Sequence, residues 1–248
     1  MYSLFVGLWP ILHTMYDTCV NILYVKEIND NNDNNDNNDN NDNNGNNDNN
    51  GNNDNKVIIK KISRNFISAT DCFGCICFGL GYYFTKSDIL LNCTVLYPIS
   101  YYIYDIYYII NHNLIDDYMY IVHHILSIIF FELWFLYREY VDIYINLLLA
   151  LELSNIPMFI VYHYLQLNKL YPNDKKIIKR LNDTKFIQLL LYGIIRIFYI
   201  LYYIYSYNIV FPGYIIPFIL LFYSMGVYWT GILCKGYYND IYPIIKDE

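Results

Sequence analysis

The stretch DDYMYIVHHILS, Asp116 to Ser127, sets two adjacent histidines near the start of an apolar run that continues through IIFFELWF. On insertion scales each ionisable group costs about 2.5–3.5 kcal/mol at the centre of a bilayer, so a chain that keeps such groups there uses them for structure or chemistry. Residues seven apart on a helix nearly coincide in azimuth and residues four apart are neighbours. Asp116, His123 and Ser127 therefore form one polar stripe, while His124 points about 100° away, on the face of Asp117 and Tyr120. The two imidazoles are expected to serve different neighbours, one facing a cavity and the other gripping an adjacent helix.

The rest of the chain agrees with a membrane setting. Of 248 residues, 56% are apolar, 19% aromatic and only 16% charged, against about a quarter charged in soluble domains. The one strongly polar block, residues 29–55, is built only of Asn, Asp and Gly in an NND-like repeat. With no apolar side chain to bury against the entropy of ordering, it reads as a solvated loop, and it lacks the pattern of a calcium-binding repeat. It holds seven aspartates, so the remaining 16 acids balance the 16 lysines and arginines and the net charge of -7 belongs to the insert. The six cysteines lie mostly in apolar segments, with no disulfide framework and no second Cys or His cluster to complete a zinc site.

A span needs roughly 20 helical residues, and seven runs qualify, at about 2–25, 64–84, 89–110, 118–137, 141–165, 186–210 and 213–234. The first carries His13 and Asp17 but has neither a basic leader nor a small-residue cleavage site, so it is read as a retained span. Seven spans put thirteen lysines and arginines on one side, including Arg64 and the basic loop 166–185, and two, Lys86 and Arg138, on the other. By the positive-inside rule the N-terminus is expected in the lumen and the C-terminus in the cytosol.

Further ionisable residues fall inside spans: Asp105, Glu132, Glu152, His163 and Arg196. They are expected to turn inward and pair, with Arg196 against Glu152 or Asp105. Pro157 is expected to kink the fifth span and free a carbonyl, favouring a central cavity. Five histidines are too few for a membrane di-iron centre, and there is no GxSxG element or phosphate-binding glycine loop. No metal or cofactor is expected. A histidine base oriented by Asp116 is one chemical use of the stripe; a pair of histidines that only fixes helix packing is the other.

Taken in order, RNFIS at 64–68, YYIYD at 101–105, DDYMYIVHHILS, LELSNIP at 151–157, Arg196 and SMGVYWTGILCKGYYN at 224–239 resemble the TLC domain family, named for TRAM, Lag and CLN proteins, over about 64–238. The likeness is to the small TLC-domain membrane proteins and more distantly to ceramide synthases. It implies an all-α polytopic transmembrane helix bundle, about seven spans with a core of about six, around a lipid-accessible cavity in the endoplasmic reticulum.

On that footing the chain divides into an N-terminal helix 1–28, the Asn/Asp-rich cytosolic loop 29–63, a TLC-type domain 64–238 and a tail 239–248. The resemblance implies a protein that binds or senses a lipid and contributes to membrane lipid homeostasis. Two alternatives are an N-acyltransferase joining acyl-CoA to a sphingoid base, and a cargo receptor or translocation partner. His123, His124 and Asp116 would be catalytic, with Asp105, Ser127, Glu152, Arg196 and Trp229 holding substrate. Membrane lipids are the expected partners, not nucleic acid. Ceramide synthases carry further carboxylates shortly before the Glu that Glu152 resembles; the corresponding positions here, near Ile145 and Leu148, are apolar.

Overall fold

A computed structural model of the chain describes residues 2–25, 48–112, 114, 118–136, 138–207, 213 and 216–246. Among these residues the fold is helical throughout. Helix α1, Tyr2–Val20, ends in a π-helical turn, Asn21–Val25. Helices α2 (Asp48–Thr85), α3 (Asp88–Asn111), α4 (Tyr118–Leu136) and α5 (Val141–Leu170) follow. Helix α6 starts as Lys175–Gly193, passes through a π-helical segment, Ile194–Tyr199, and continues to Tyr207; α7 is Ile216–Lys246.

Each expected span coincides with one of these helices. Within α2, α5, α6 and α7 the segments Asn55–Thr85, Val141–Leu170, Lys175–Ser206 and Ile216–Tyr238 are long and apolar enough to cross a membrane, and α4 contributes a shorter apolar stretch, Met119–Trp134. The span expected to start at 64 is the latter part of a longer helix: α2 begins at Asp48, inside the Asn/Asp-rich block. Residues 29–47 of the expected loop lie outside the described residues, as do residues 26–28 of the expected N-terminal helix and Asp116 and Asp117.

Helix α2 packs most extensively on α5, and also on α3 and α1; α5 packs on α6, and α6 on α7. Between apolar helices in lipid, association rests on close packing and interhelical hydrogen bonds, each averaging about 0.6 kcal/mol. The contacts fit that account. Trp9 on α1, fully buried, donates its indole N–H to Ser100 on α3 at 2.9 Å; Tyr16 meets Thr70 on α2 at 2.7 Å. Asn65 on α2 donates to the Phe159 carbonyl of α5 at 2.9 Å, and Tyr203 on α6 to the Ile143 carbonyl at 2.8 Å. Gly74 admits the Tyr97 ring so closely that a Cβ there would lie 2.2 Å from it.

On the face opposite the basic loop, α4 meets its neighbours through aromatic rings. Trp134 stacks on Tyr144 of α5 with centroids 5.2 Å apart, and Phe130 contacts Tyr144 at 5.5 Å and Phe222 of α7 at 5.2 Å. Also on that face Lys86, in the left-handed conformation that closes a helix (φ 53°), donates to Asp142 at 2.7 Å. The Asp142 carboxylate accepting that bond holds the Lys86 ammonium above the usual lysine range.

Two expectations about buried charge are corrected here. Glu132 is exposed on the outside of the bundle, four residues before α4 ends at Leu136, where a carboxylate reaches the interface instead of turning inward. Arg64, counted among the loop charges, is buried, because α2 starts far enough upstream to carry it into the bundle. Helix α5 runs unbroken through Pro157.

Candidate functional site

A cavity opens between α2, α3, α4, α5, α6 and α7, leaving α1 outside it. Its volume is about 150 Å³. Its lining mixes apolar side chains, among them Phe130, Phe131, Leu148, Leu151 and Phe222, with a dense set of polar ones.

The polar lining has two centres. The first is Asp105 of α3, buried, whose two carboxylate oxygens accept from Nε and Nη2 of Arg64 at 2.8 Å each. The same carboxylate accepts from His124 Nε2 at 2.8 Å. A bidentate guanidinium keeps this carboxylate an acceptor, so His124 carries its proton on Nε2 and its buried Nδ1 has no partner among the described residues. His124 stacks on Tyr102 with ring planes 17° apart at 4.7 Å, and Arg64 lies 5.3 Å from the Tyr120 ring.

The second centre is Arg196, in the π-helical segment of α6 and buried. Its Nε donates to Ser154 Oγ at 2.8 Å, and its Nη2 to Asn155 Oδ1 at 2.8 Å and the Leu151 carbonyl at 3.2 Å. Tyr192 sits 4.9 Å away, ring to guanidinium. Asn155 in turn donates to Glu152 Oε2 at 3.3 Å. Asp71, buried on α2, lines the cavity near Cys72, whose thiol donates to the Glu152 carbonyl at 3.3 Å. Pro157 removes the N–H that would bond the Leu153 carbonyl, and neighbouring carbonyls in that turn take the Arg196 and Cys72 donors.

His123, Ser127, Asp105, His124, Glu152 and Arg196 all line this cavity, as their side-chain chemistry predicts. The division of labour between the histidines holds as well: His124 grips Asp105 on α3, and His123 faces the space, its Nδ1 without a partner among the described residues. Two pairings differ from expectation. Arg64, not Arg196, takes Asp105, and Arg196 reaches Glu152 only by way of Asn155. Trp229 is exposed on α7, beside Tyr228 and away from the cavity lining. Asp116 lies outside the described residues.

Arg64, Asp71, Ser154 and Asn155 belong to the site without having been read as part of it. The signal was present: Arg64 and Asp71 are seven apart, hence on one face of α2, and LELSNIP contains the other two. Ile145 and Leu148, where ceramide synthases carry carboxylates, are buried and apolar here. No group of three or more metal-ligating side chains occurs among the described residues.

The family model of the TLC domain matches residues 64–235, and the chain belongs to that family. It is an integral membrane protein with an all-α helix bundle. Comparison with the curated proteins and with the solved structures gives no match.

Proposed function

We propose that this protein binds a membrane lipid in the cavity between α2 and α7 and thereby contributes to membrane lipid homeostasis, in the endoplasmic reticulum, with its N-terminus lumenal and its C-terminus cytosolic. The carrying observation is the mixed lining. A lipid needs an apolar path for its chain and fixed polar groups for its head, and Phe130, Phe131 and Leu148 line one space together with His123, Ser127 and Asn155.

The Asp105–His124 bond at 2.8 Å favours a second reading, acyl transfer from acyl-CoA to the amine of a sphingoid base. In that reaction the amine nitrogen attacks the thioester carbonyl, His123 takes the amine proton as general base and returns it to the CoA sulfur as the C–S bond breaks, and the anchored His124 fixes the helix that carries it.

One experiment separates the two. Wild type and His123→Ala/His124→Ala are expressed in a host lacking ceramide synthase, and both N-acylation of a labelled sphingoid base and the overall acyl composition of membrane lipids are measured. A shift in acyl composition without labelled amide supports lipid binding. Labelled amide that requires the histidines supports acyl transfer. Neither change, with the protein inserted in the membrane, contradicts both.

A further inference from the structure

Two guanidinium groups border the cavity, and their charges are met differently. Arg64 has a carboxylate held in two bonds. The hydrogen bonds of Arg196 go to a hydroxyl, an amide oxygen and a backbone carbonyl, all neutral, and its Nη1 donates to no described residue. Glu152 is held one residue away, behind Asn155. A buried cation in a bundle that spans lipid is costly unless an anion meets it.

Helix α7 brings a second donor to the same place. A Cβ at Gly226 would lie 3.2 Å from the Arg196 Cβ, so α7 runs hard against α6 there. Four residues earlier on the same face, Phe222 packs edge-on to the His123 ring, with centroids 6.3 Å apart. Arg196 and His123 are thus about one helical turn apart along α7, both lining the cavity; His123 Nδ1 has no partner among the described residues, and the hydrogen bonds of Arg196 use only Nε and Nη2. Lys61 and Arg64 border the cavity too, and the acids facing it are Asp71, Asp105 and Glu152.

Resting on the lipid-binding reading above, we infer that the cavity's ligand is an acyl chain ending in an oxyanion, a carboxylate or a phosphate, bound by Arg196 Nη1 and assisted by His123. The anion supplies the direct ion pair that Arg196 does not make with any described residue, and the chain lies along Phe130, Phe131 and Leu148.

The test uses the full-length protein in lipid nanodiscs with labelled oleic acid, at a pH where the acid is ionised. Unlabelled oleic acid, oleyl alcohol, oleylamine and lysophosphatidic acid compete for it. Oleyl alcohol is expected to compete roughly tenfold or more weakly than oleic acid, the scale of one charge-assisted bond. Lysophosphatidic acid stronger than oleic acid identifies phosphate as the head, and weaker identifies carboxylate; both support the inference. Alcohol equal to acid, or amine stronger than acid, overturns it while leaving the cavity a lipid site. Failure of the intact protein to bind either labelled oleic acid or labelled lysophosphatidic acid overturns the inference; if it binds none of these lipids when each is presented in labelled form, the lipid-binding reading falls as well.

Arg196→Gln is expected to bring acid and alcohol together, and Arg196→Lys to keep part of the preference, which separates lost charge from lost packing. Full preference retained in Arg196→Gln contradicts the assignment to Arg196.

Discussion

Asp105 holds three N–H groups from two other helices, and it is the residue on which the polar lining depends. Removing one partner of a buried ion pair leaves an uncompensated charge and costs about 3–5 kcal/mol, whereas removing both is far milder. Arg64→Leu is therefore expected to lower thermal stability in detergent sharply, and Arg64→Leu/Asp105→Leu to recover much of the loss. A double variant worse than the single would show that the pair is not what stabilises this lining.

Packing gives a second contrast at the same scale. Gly74→Ala drives a Cβ into the buried Tyr97 ring and is expected to destabilise by about 1 kcal/mol or more. Gly231→Ala, with nothing within 4 Å, is expected to be neutral or to stabilise by up to about 1 kcal/mol. Thermal unfolding of the two variants side by side checks both.

The histidine pair was legible residue by residue because azimuth follows from spacing alone. Arg64 was not, since KKISRNF has the charge pattern of a loop, and only the upstream extension of α2 carries it indoors.

Helices are the level at which the sequence speaks most plainly. Apolar length locates each of the seven, and Pro157 marks the turn of α5 whose carbonyls the neighbouring helices exploit. The π-helical segment around Arg196 has no such mark. It rests on the tertiary fit of α6 between Ser154 and Gly226, and segments of this kind recur at functional sites. Gly226 is the contact to probe. Gly226→Leu must part α6 from α7 and is expected to cost about 1–3 kcal/mol by overpacking, with displacement of Arg196 and weaker lipid binding. Unchanged stability and binding would show that the α6–α7 contact does not position the arginine. Deletion of residues 29–47, chosen to end before α2 begins, is expected to leave expression and membrane insertion intact. Loss of both would assign the Asn/Asp-rich block a structural part.

For the whole molecule, the proposed orientation rests on the distribution of charge. The basic segment that opens α6, Lys175 to Lys185, follows directly on the end of α5, where Leu167 and Leu170 pack with Ile59 and Ile62 of α2. A tag after Glu248 is expected to be digested by protease in intact microsomes and a tag ahead of Met1 to be protected; the reverse would overturn the orientation. Family membership was readable from short motifs in order along the chain. A central cavity was readable from the polar stripe on α4; its full lining was not, because that depends on how aromatic rings set α4 against α5 and α7. The measurement that bears most directly on the central claim is native mass spectrometry of the purified protein, wild type beside Ser127→Trp, whose indole fills the cavity from α4. Wild type is expected to retain a lipid that survives purification, and the variant to fold and lose it. The same lipid at the same occupancy in both would place the lipid elsewhere and contradict the account.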